Sequence, residues 1–81
     1  MQITLIFYAA LEEAISGEPM LLEVDEGSTV EQVIEKLSQR FPQAAPILKA
    51  TRLAHEDEYV GKQTVLNGDA EYCLITPVSG G

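Results

Sequence analysis

The sequence has few of the residues on which catalytic and metal sites are commonly built. It contains one cysteine, Cys73, one histidine, His55, and no tryptophan. A single cysteine cannot close an internal disulfide, and it excludes a thiol-based metal cluster within one chain. Cys73 lies in the apolar stretch YCLIT without basic neighbours that would activate a thiolate. We interpret Cys73 as a half-buried strand residue and His55, which precedes acidic residues, as an exposed loop or strand residue.

Signature motifs of enzymes are also missing. The sequence contains no G-x-x-x-x-G-K-[ST] phosphate loop, no G-x-G-x-x-G dinucleotide turn and no G-x-S-x-G nucleophile elbow. A lone histidine cannot supply an H-E-x-x-H zinc helix. The run Glu56-Asp57-Glu58 could attract a cation, but a solvated acidic turn is the simpler interpretation. We therefore expect no bound metal or cofactor, and we favour a binding or carrier role.

Basic residues are scarce. Five Lys and Arg stand against 13 Asp and Glu, which gives a formal net charge of −8. This balance disfavours nucleic acid and anionic membranes as partners and favours a basic protein surface. No apolar run approaches the roughly 18–20 residues of a membrane span. The opening MQITLIFYAALEEA has neither the basic start nor the continuous apolar core of a signal peptide, so we expect a soluble cytoplasmic protein.

The hydrophobic pattern of the first third predicts a strand, a short helix and a second strand. Period-two alternation in QITLIFYA predicts a strand with Ile3, Leu5 and Phe7 on its inner face. AALEEAISG predicts a helix of about two turns with Gly17 as its C-terminal cap. PMLLEVDEG predicts a second strand, which would pair with the first as a hairpin.

The clearest predicted element is a helix in STVEQVIEKLSQRFP. Its apolar residues recur at helical spacing and form one stripe of Val30, Val33, Ile34, Leu37 and Phe41. Two overlapping capping boxes fit its start, Ser28 with Glu31 and Thr29 with Gln32. Pro42 is expected to end it.

The second half predicts further strands. QAAPILKATRLA would hold a loop or a single turn and then a strand through TRLAHED, and EYVGKQTVL would hold a short strand and a turn. NGD predicts a turn before the last strand, AEYCLITPV, in which Tyr72 and Leu74 would face inward. The whole pattern predicts an α+β roll with helices on one side of a mixed sheet. We expect a domain over residues 1–78 and a flexible Gly-Gly tail over residues 79–81.

The chain ends in TPVSGG, which suggests a working C-terminal carboxylate. Proline cannot donate to a sheet, so Pro77 would release the chain from the last strand. Ser79-Gly80-Gly81 then spans about 10 Å at roughly 3.3–3.6 Å per residue. Because glycine has no side chain, this tail could thread a narrow channel in another protein. Coupling to AMP would activate the carboxylate, and sulfur could displace AMP to leave a thiocarboxylate. The chain lacks an ATP site, so a separate enzyme would use the ATP.

The sequence as a whole resembles the small-subunit family of molybdopterin synthase, within the ubiquitin-like (β-grasp) sulfur carriers. The resemblance rests on LIFYAALEEAISG, STVEQVIEKL, RLAHEDEYV and, most specifically, NGDAEYCLITPVSGG. It implies that an E1-like adenylyltransferase activates Gly81 and that a sulfur donor protein converts it to thiocarboxylate. The tail would then enter the large subunit, which holds the catalytic groups. Sulfur would pass to a cyclic pyranopterin precursor to build molybdopterin for the molybdenum cofactor.

The resemblance also implies roles for single residues and an assembly. Gly81 would bear the sulfur, Gly80 would pass through the channel, and Val78 and Ser79 would line the channel mouth. Two small and two large subunits would form a heterotetramer. Three residues depart from those common in the family at their positions: Thr76, Glu12 and Glu56.

A docking patch is expected on the bare face of the sheet. If the first strand turns Ile3, Leu5 and Phe7 inward, its alternate residues remain outside, and the last strand turns Cys73 and Ile75 outward. Apolar patches on small domains tend to mark interaction sites. The expected interface residues are Ile6, Tyr8, Tyr59, Ile75 and Pro77.

Other functions fit the same tail. A ubiquitin-like modifier would join Gly81 to lysines after the same adenylation. The chain could also carry sulfur for thiamin or cysteine synthesis, or be a plain binding domain whose tail has no function. Isopeptide-linked adducts would support the modifier, whereas a thiocarboxylate and a stable large-subunit complex would support the carrier.

Overall fold

A computed structural model of the chain describes residues 1–76, which form a five-stranded mixed sheet with helices on one face. The strands are β1 (Gln2–Phe7), β2 (Met20–Glu23), β3 (Arg52–His55), β4 (Glu58–Val60) and β5 (Glu71–Ile75). The helices are α1 (Ala10–Ala14), α2 (Val30–Arg40) and α3 (Ala45–Lys49), with a 3₁₀ turn over Pro42–Ala44. The sheet order is β2-β1-β5-β3-β4, in which β1 and β5 are parallel and the other neighbours antiparallel. The predicted α+β roll is confirmed.

The first strand follows its sequence pattern. Ile3, Leu5 and Phe7 are buried on the inner face of β1. The predicted hairpin with β2 is confirmed, and β5 lies on the other side of β1, where Leu5 is opposite Tyr72. Tyr72 and Leu74 of β5 face inward as expected. The core therefore lies between this face of the sheet and the helices.

Of the two capping boxes at α2, the structure forms the second. The Gln32 amide donates to Thr29 Oγ1 at 3.3 Å, and the Thr29 amide donates to Gln32 Oε1 at 2.9 Å. Ser28 lies outside the helix and donates its hydroxyl to the carbonyl of Asp25. The predicted stripe packs as expected, with Val30, Val33 and Leu37 buried and Ile34 and Phe41 partly buried against the core. The helix ends at Arg40, ahead of Pro42.

Three details of the predicted elements are wrong. β1 ends at Phe7 because Ala9 has a φ of 53°, which is incompatible with an extended strand. Gly17 does not cap α1, which ends at Ala14 and is closed by Ile15 N–H donating to Leu11 O at 2.9 Å. The stretch expected to be a loop or single turn forms both the 3₁₀ turn and α3, which bury Ala44 and Leu48.

None of the helices in residues 1–76 has the length and apolar character that crossing a bilayer requires. The predicted boundary between domain and tail, at residues 78 and 79, lies outside the described residues and stays a prediction.

Candidate docking face and tail

The face of the sheet opposite the helices, here called the outer face, carries a row of side chains across four strands. Ile6 of β1 is opposite Cys73 of β5, Cys73 is opposite Ala54 of β3, and Ala54 is opposite Tyr59 of β4. All four belong to the alternation that points away from the core. Ile6, Cys73 and Tyr59 therefore lie on the side of the sheet that the sequence predicts for them.

Four of the five predicted interface residues lie on this outer face. Tyr8 and Tyr59 are 45% and 61% exposed, large values for aromatic side chains on a small domain. Ile6 and Ile75 are half-buried, and Ile75 borders the same hollow as the two tyrosines. Pro77, the fifth residue expected here, lies outside the described residues. The outer face is therefore a continuous surface with an apolar centre.

Tyr8 and Cys73 form a polar contact within this surface. The Tyr8 hydroxyl is 3.8 Å from Cys73 Sγ. The hydrogen bond and the thiol's charge when ionised, with smaller contributions from desolvation and Glu71, raise the pKa of the Tyr8 phenol above its ordinary value. Tyr8 therefore stays neutral over the physiological range. Cys73 is half-buried, as its position in an apolar strand predicted.

His55, at the end of β3, is hydrogen-bonded to the start of β5. Its Nδ1 donates to the carbonyl oxygen of Glu71 at 3.1 Å, and its ring packs on Tyr72 at a centroid distance of 5.0 Å. Its Nε2 is 3.9 Å from a carboxylate oxygen of Glu56. The expected strand position is confirmed, but the side chain is only 28% exposed. These contacts indicate a structural role for His55.

A hollow of about 890 Å³ opens on the outer face. Its apolar and aromatic lining includes Tyr8, Ala54, Tyr59, Cys73 and Ile75. Its acidic wall consists of Glu56, Asp57, Asp69 and Glu71. The sequence alone did not predict this wall, because the wall combines the β3–β4 turn with Asp69 and Glu71 around the start of β5. Predicting the acidic wall would have required knowing that β3 pairs with β5.

The acidic run does not form a metal centre in the described part of the chain. Residues 1–76 contain no group of three or more His, Cys, Asp or Glu side chains arranged to hold a metal ion. Glu56 and Asp57 instead form the β3–β4 turn, between the paired residues His55 and Glu58. Glu56, Asp57 and Glu58 are exposed at this turn.

The predicted tail residues Val78, Ser79, Gly80 and Gly81 lie outside the described residues. The structure does describe the end of β5, the strand that precedes this tail. β5 ends at Ile75, on the border of the hollow, and it lies between β1 and β3 in the middle of the sheet. A protein covering the outer face would therefore be next to the segment that leads to Gly81.

A model of the protein family described as the ThiS family matches residues 5–81. The chain belongs to the ThiS family. Two curated relatives of this ThiS-family protein are named molybdopterin synthase sulfur carrier subunit. The Arabidopsis thaliana protein is 25% identical over 100% of this chain and 84% of its own length. The Dictyostelium discoideum protein is 29% identical over 99% of this chain and 96% of its own length.

Solved structures confirm the ubiquitin-like β-grasp fold of this ThiS-family protein. The Haloferax volcanii HVO 2177 protein matches with a TM-score of 0.86 and 23% identity over 100% of this chain and 87% of that one. The ubiquitin of Caldiarchaeum subterraneum matches with a TM-score of 0.67 and 22% identity over 100% and 98%. A chain from a structure titled as a complex of subunits 1 and 2 of molybdopterin-converting factor from Helicobacter pylori matches with a TM-score of 0.68 and 18% identity. The match covers 100% of this chain and 100% of that one.

Proposed function

We propose that this ThiS-family protein is the sulfur carrier subunit of a molybdopterin synthase and that Gly81 carries the sulfur. The observation that carries the proposal is the match of nearly the whole chain to curated relatives with that name. The C-terminal PVSGG and the outer face beside the end of β5 support it. The product would be molybdopterin, made by sulfur transfer to a cyclic pyranopterin precursor.

The terminal carboxylate must be activated before it can accept sulfur. A carboxylate resists nucleophiles because its charge is delocalised and its leaving group is poor. In the proposed route, an E1-like adenylyltransferase uses ATP to couple the Gly81 carboxylate to AMP and releases pyrophosphate. Hydrosulfide delivered by a donor protein then attacks the Gly81 carbonyl carbon, the bond to the AMP oxygen breaks, and AMP leaves, so that the thiocarboxylate remains. This chain binds neither ATP nor a metal in the proposal, and the route belongs in the cytoplasm, where ATP is available.

The outer face supports docking to a large catalytic subunit. Tyr8, Tyr59 and Ile75 offer apolar area without a covering element in residues 1–76, and Ile75 is close to the departing tail. The Helicobacter pylori neighbour is titled as a complex of two subunits of molybdopterin-converting factor. In the proposed complex, Pro77 extends the interface. Two small and two large subunits form the assembly.

Each tail residue has a role in this arrangement. Val78 and Ser79 line the mouth of the large subunit's channel, and Gly80 passes through the narrowest part because it has no side chain. Gly81 then presents its thiocarboxylate to the precursor. The large subunit supplies the groups that catalyse the transfer.

The deciding measurement is the intact mass of the protein after treatment with ATP, the E1-like enzyme and a sulfur source. We expect replacement of one oxygen by sulfur, mapped to Gly81, and no change when ATP is omitted. Deletion of Gly81 should abolish sulfur transfer and leave the free energy of unfolding within about 0.5 kcal/mol of wild type, because the core is built from residues before Thr76. A free carboxylate under conditions that convert a known carrier would contradict the proposal.

The same samples distinguish the other functions. Isopeptide adducts at Gly81 without a thiocarboxylate would favour a ubiquitin-like modifier. A thiocarboxylate together with no binding to the large subunit would favour a carrier for thiamin or cysteine synthesis. Unchanged activity after deletion of Gly81 would show that the tail has no function.

A further inference from the structure

The hollow on the outer face has two chemically different ends. β5 runs from Glu71 to Ile75 along its length. At the Ile75 end, from which the tail departs, the lining is apolar and aromatic. At the Glu71 end, the β3–β4 turn brings Glu56 next to the start of β5, as the contacts of His55 with both residues show. The two ends are about 13 Å apart, since a strand rises about 3.3 Å per residue.

The carboxylates of the acidic wall are not neutralised by the described part of the chain. Within residues 1–76, the Met1 ammonium is paired with Glu23, and His55 Nε2 lies 3.9 Å from Glu56, a contact that is an ion pair only when the imidazole is protonated. The lining of the hollow contains no Lys or Arg from these residues. Arg52, on the neighbouring strand, stacks on the ring of Tyr59 at 5.8 Å. A guanidinium or ammonium group at the wall must therefore come from another molecule.

The other cationic side chains lie on the helix side. Lys36 donates to the carbonyl of Glu23, and Arg40 stacks on Phe41 at 5.5 Å. Lys49 and Lys62 border a groove beside α2 and α3. In the described part of the chain, the outer face therefore carries the four carboxylates of the acidic wall and one Lys or Arg side chain, Arg52, in a protein with a net charge of −8. Such a face attracts a cationic partner surface and repels an anionic one.

The shape of the hollow suits a long cationic side chain rather than a compact ion. Ala54 and Cys73 form an apolar floor, along which the methylene groups of Arg or Lys can lie while the charged end reaches the carboxylates. The ring of Tyr8 borders the same space and can receive a cation on its face, whereas the ring of Tyr59 already carries Arg52.

We propose that the hollow receives an arginine or lysine side chain of the protein that docks on the outer face. This contact, about 13 Å from the departing tail, orients the partner so that the tail meets its channel. The inference rests on the proposed function, which supplies the partner: the large subunit of a molybdopterin synthase.

The test compares two variants with the same net charge. The wall variant carries Glu56→Asn, Asp57→Asn, Asp69→Asn and Glu71→Gln, and Asn is well tolerated at the three positions with positive φ. The control variant carries Glu13→Gln, Glu18→Gln, Glu26→Gln and Glu35→Gln, four exposed positions away from the hollow. Stopped-flow association with the purified large subunit is measured from low to high salt, and thermal melting confirms that both variants fold.

We expect the wall variant to associate about tenfold more slowly at low salt and to lose most of the salt dependence. The control variant should stay within about threefold of wild type, the effect of net charge alone. Equal slowing of both variants, or of neither, would overturn the inference. Failure of the wild-type protein to bind the large subunit would instead count against the proposed function. Binding that is competed by free spermidine but insensitive to the wall variant would also overturn it, because it would place the cation elsewhere.

Discussion

At the scale of single residues, the β3–β4 turn places two consecutive non-glycine residues at positive φ. Glu56 and Asp57 have φ values of 50° and 67° and occupy the two central positions between His55 and Glu58. A two-residue hairpin with positive φ at both positions favours Asn-Gly. Side chains other than Gly, Asn and Asp lose about 1–2 kcal/mol in this region of backbone space. Glu56 therefore lowers the stability of the folded domain at this position.

Replacing both residues should stabilise the domain. We expect Glu56→Asn with Asp57→Gly to raise the free energy of unfolding by about 1 kcal/mol, because the left-handed strain is relieved. Urea denaturation measures the change. Glu18→Asn is the control, since Glu18 is exposed and has no positive φ. A double variant no more stable than wild type would show that the turn is not strained.

The contact between Tyr8 and Cys73 has a measurable pH signature. Because the pKa of the Tyr8 phenol is raised in the folded protein, the contact favours folding below about pH 10, the ordinary value for tyrosine. That contribution is lost as the pH rises through the folded-state pKa. We expect NMR titration of labelled tyrosine to show Tyr8 ionising above this value, and Cys73→Ala to lower its pKa. Ile75→Ala, which removes no hydrogen bond to Tyr8, should leave it unchanged.

At the scale of elements, the start of α2 shows how a local ambiguity is resolved. Both Ser28 and Thr29 fit a capping box in sequence, and sequence alone does not rank them. The structure selects Thr29 because a bridge between Thr29 and Val65 fixes the backbone at that residue. The Ser28 hydroxyl instead donates a hydrogen bond to the carbonyl of Asp25 in the preceding turn.

The two hydroxyls should therefore differ in their contribution to stability. Thr29→Ala removes the acceptor for the Gln32 amide and should cost about 1 kcal/mol. Ser28→Ala removes an exposed bond in a turn and should cost no more than about 0.5 kcal/mol. Chemical denaturation of both variants provides the comparison. A larger loss for Ser28→Ala would indicate that the first capping box forms instead.

Elements marked by a pattern of neighbouring residues could be predicted from the sequence, whereas features that depend on contacts between distant residues could not. β1 and α2 were predicted because their apolar residues recur with a period of two and of 3.6 residues, which can be seen within a short stretch of sequence. α3 was not, since it has five residues, no side-chain cap and a proline in its first turn. The apolar half of the outer face followed from alternation alone. The acidic wall did not, because Glu56 and Glu71 meet only through the pairing of β3 with β5.

At the scale of the whole molecule, the two faces of the sheet separate folding from docking. Leu5 and Ile6 are consecutive in β1, yet Leu5 is fully buried under the helices and Ile6 is half-buried on the outer face. A domain of this size is stable by only about 4–12 kcal/mol. Substitutions on the inner face should therefore threaten the fold, whereas those on the outer face should affect the partner.

The pair Leu5→Ala and Ile6→Ala tests this separation. Leu5→Ala should lose about 2–5 kcal/mol through the cavity it leaves. Ile6→Ala should lose roughly 1 kcal/mol because less apolar area is uncovered. Ile6→Ala should also raise the dissociation constant for the large subunit about tenfold, which corresponds to the loss of a contact worth somewhat more than 1 kcal/mol. Equal losses of stability in the two variants would contradict the division between faces.

The position of β5 has a consequence for the timing of synthesis. The last strand of the chain lies between β1 and β3, so the sheet cannot be completed until residue 75 has left the ribosome. Contacts between such distant segments form late, because a long loop must close before they yield any energy. A nascent or truncated chain therefore has no complete outer face to offer. A protein that recognises the complete outer face would therefore bind finished chains and not unfinished ones.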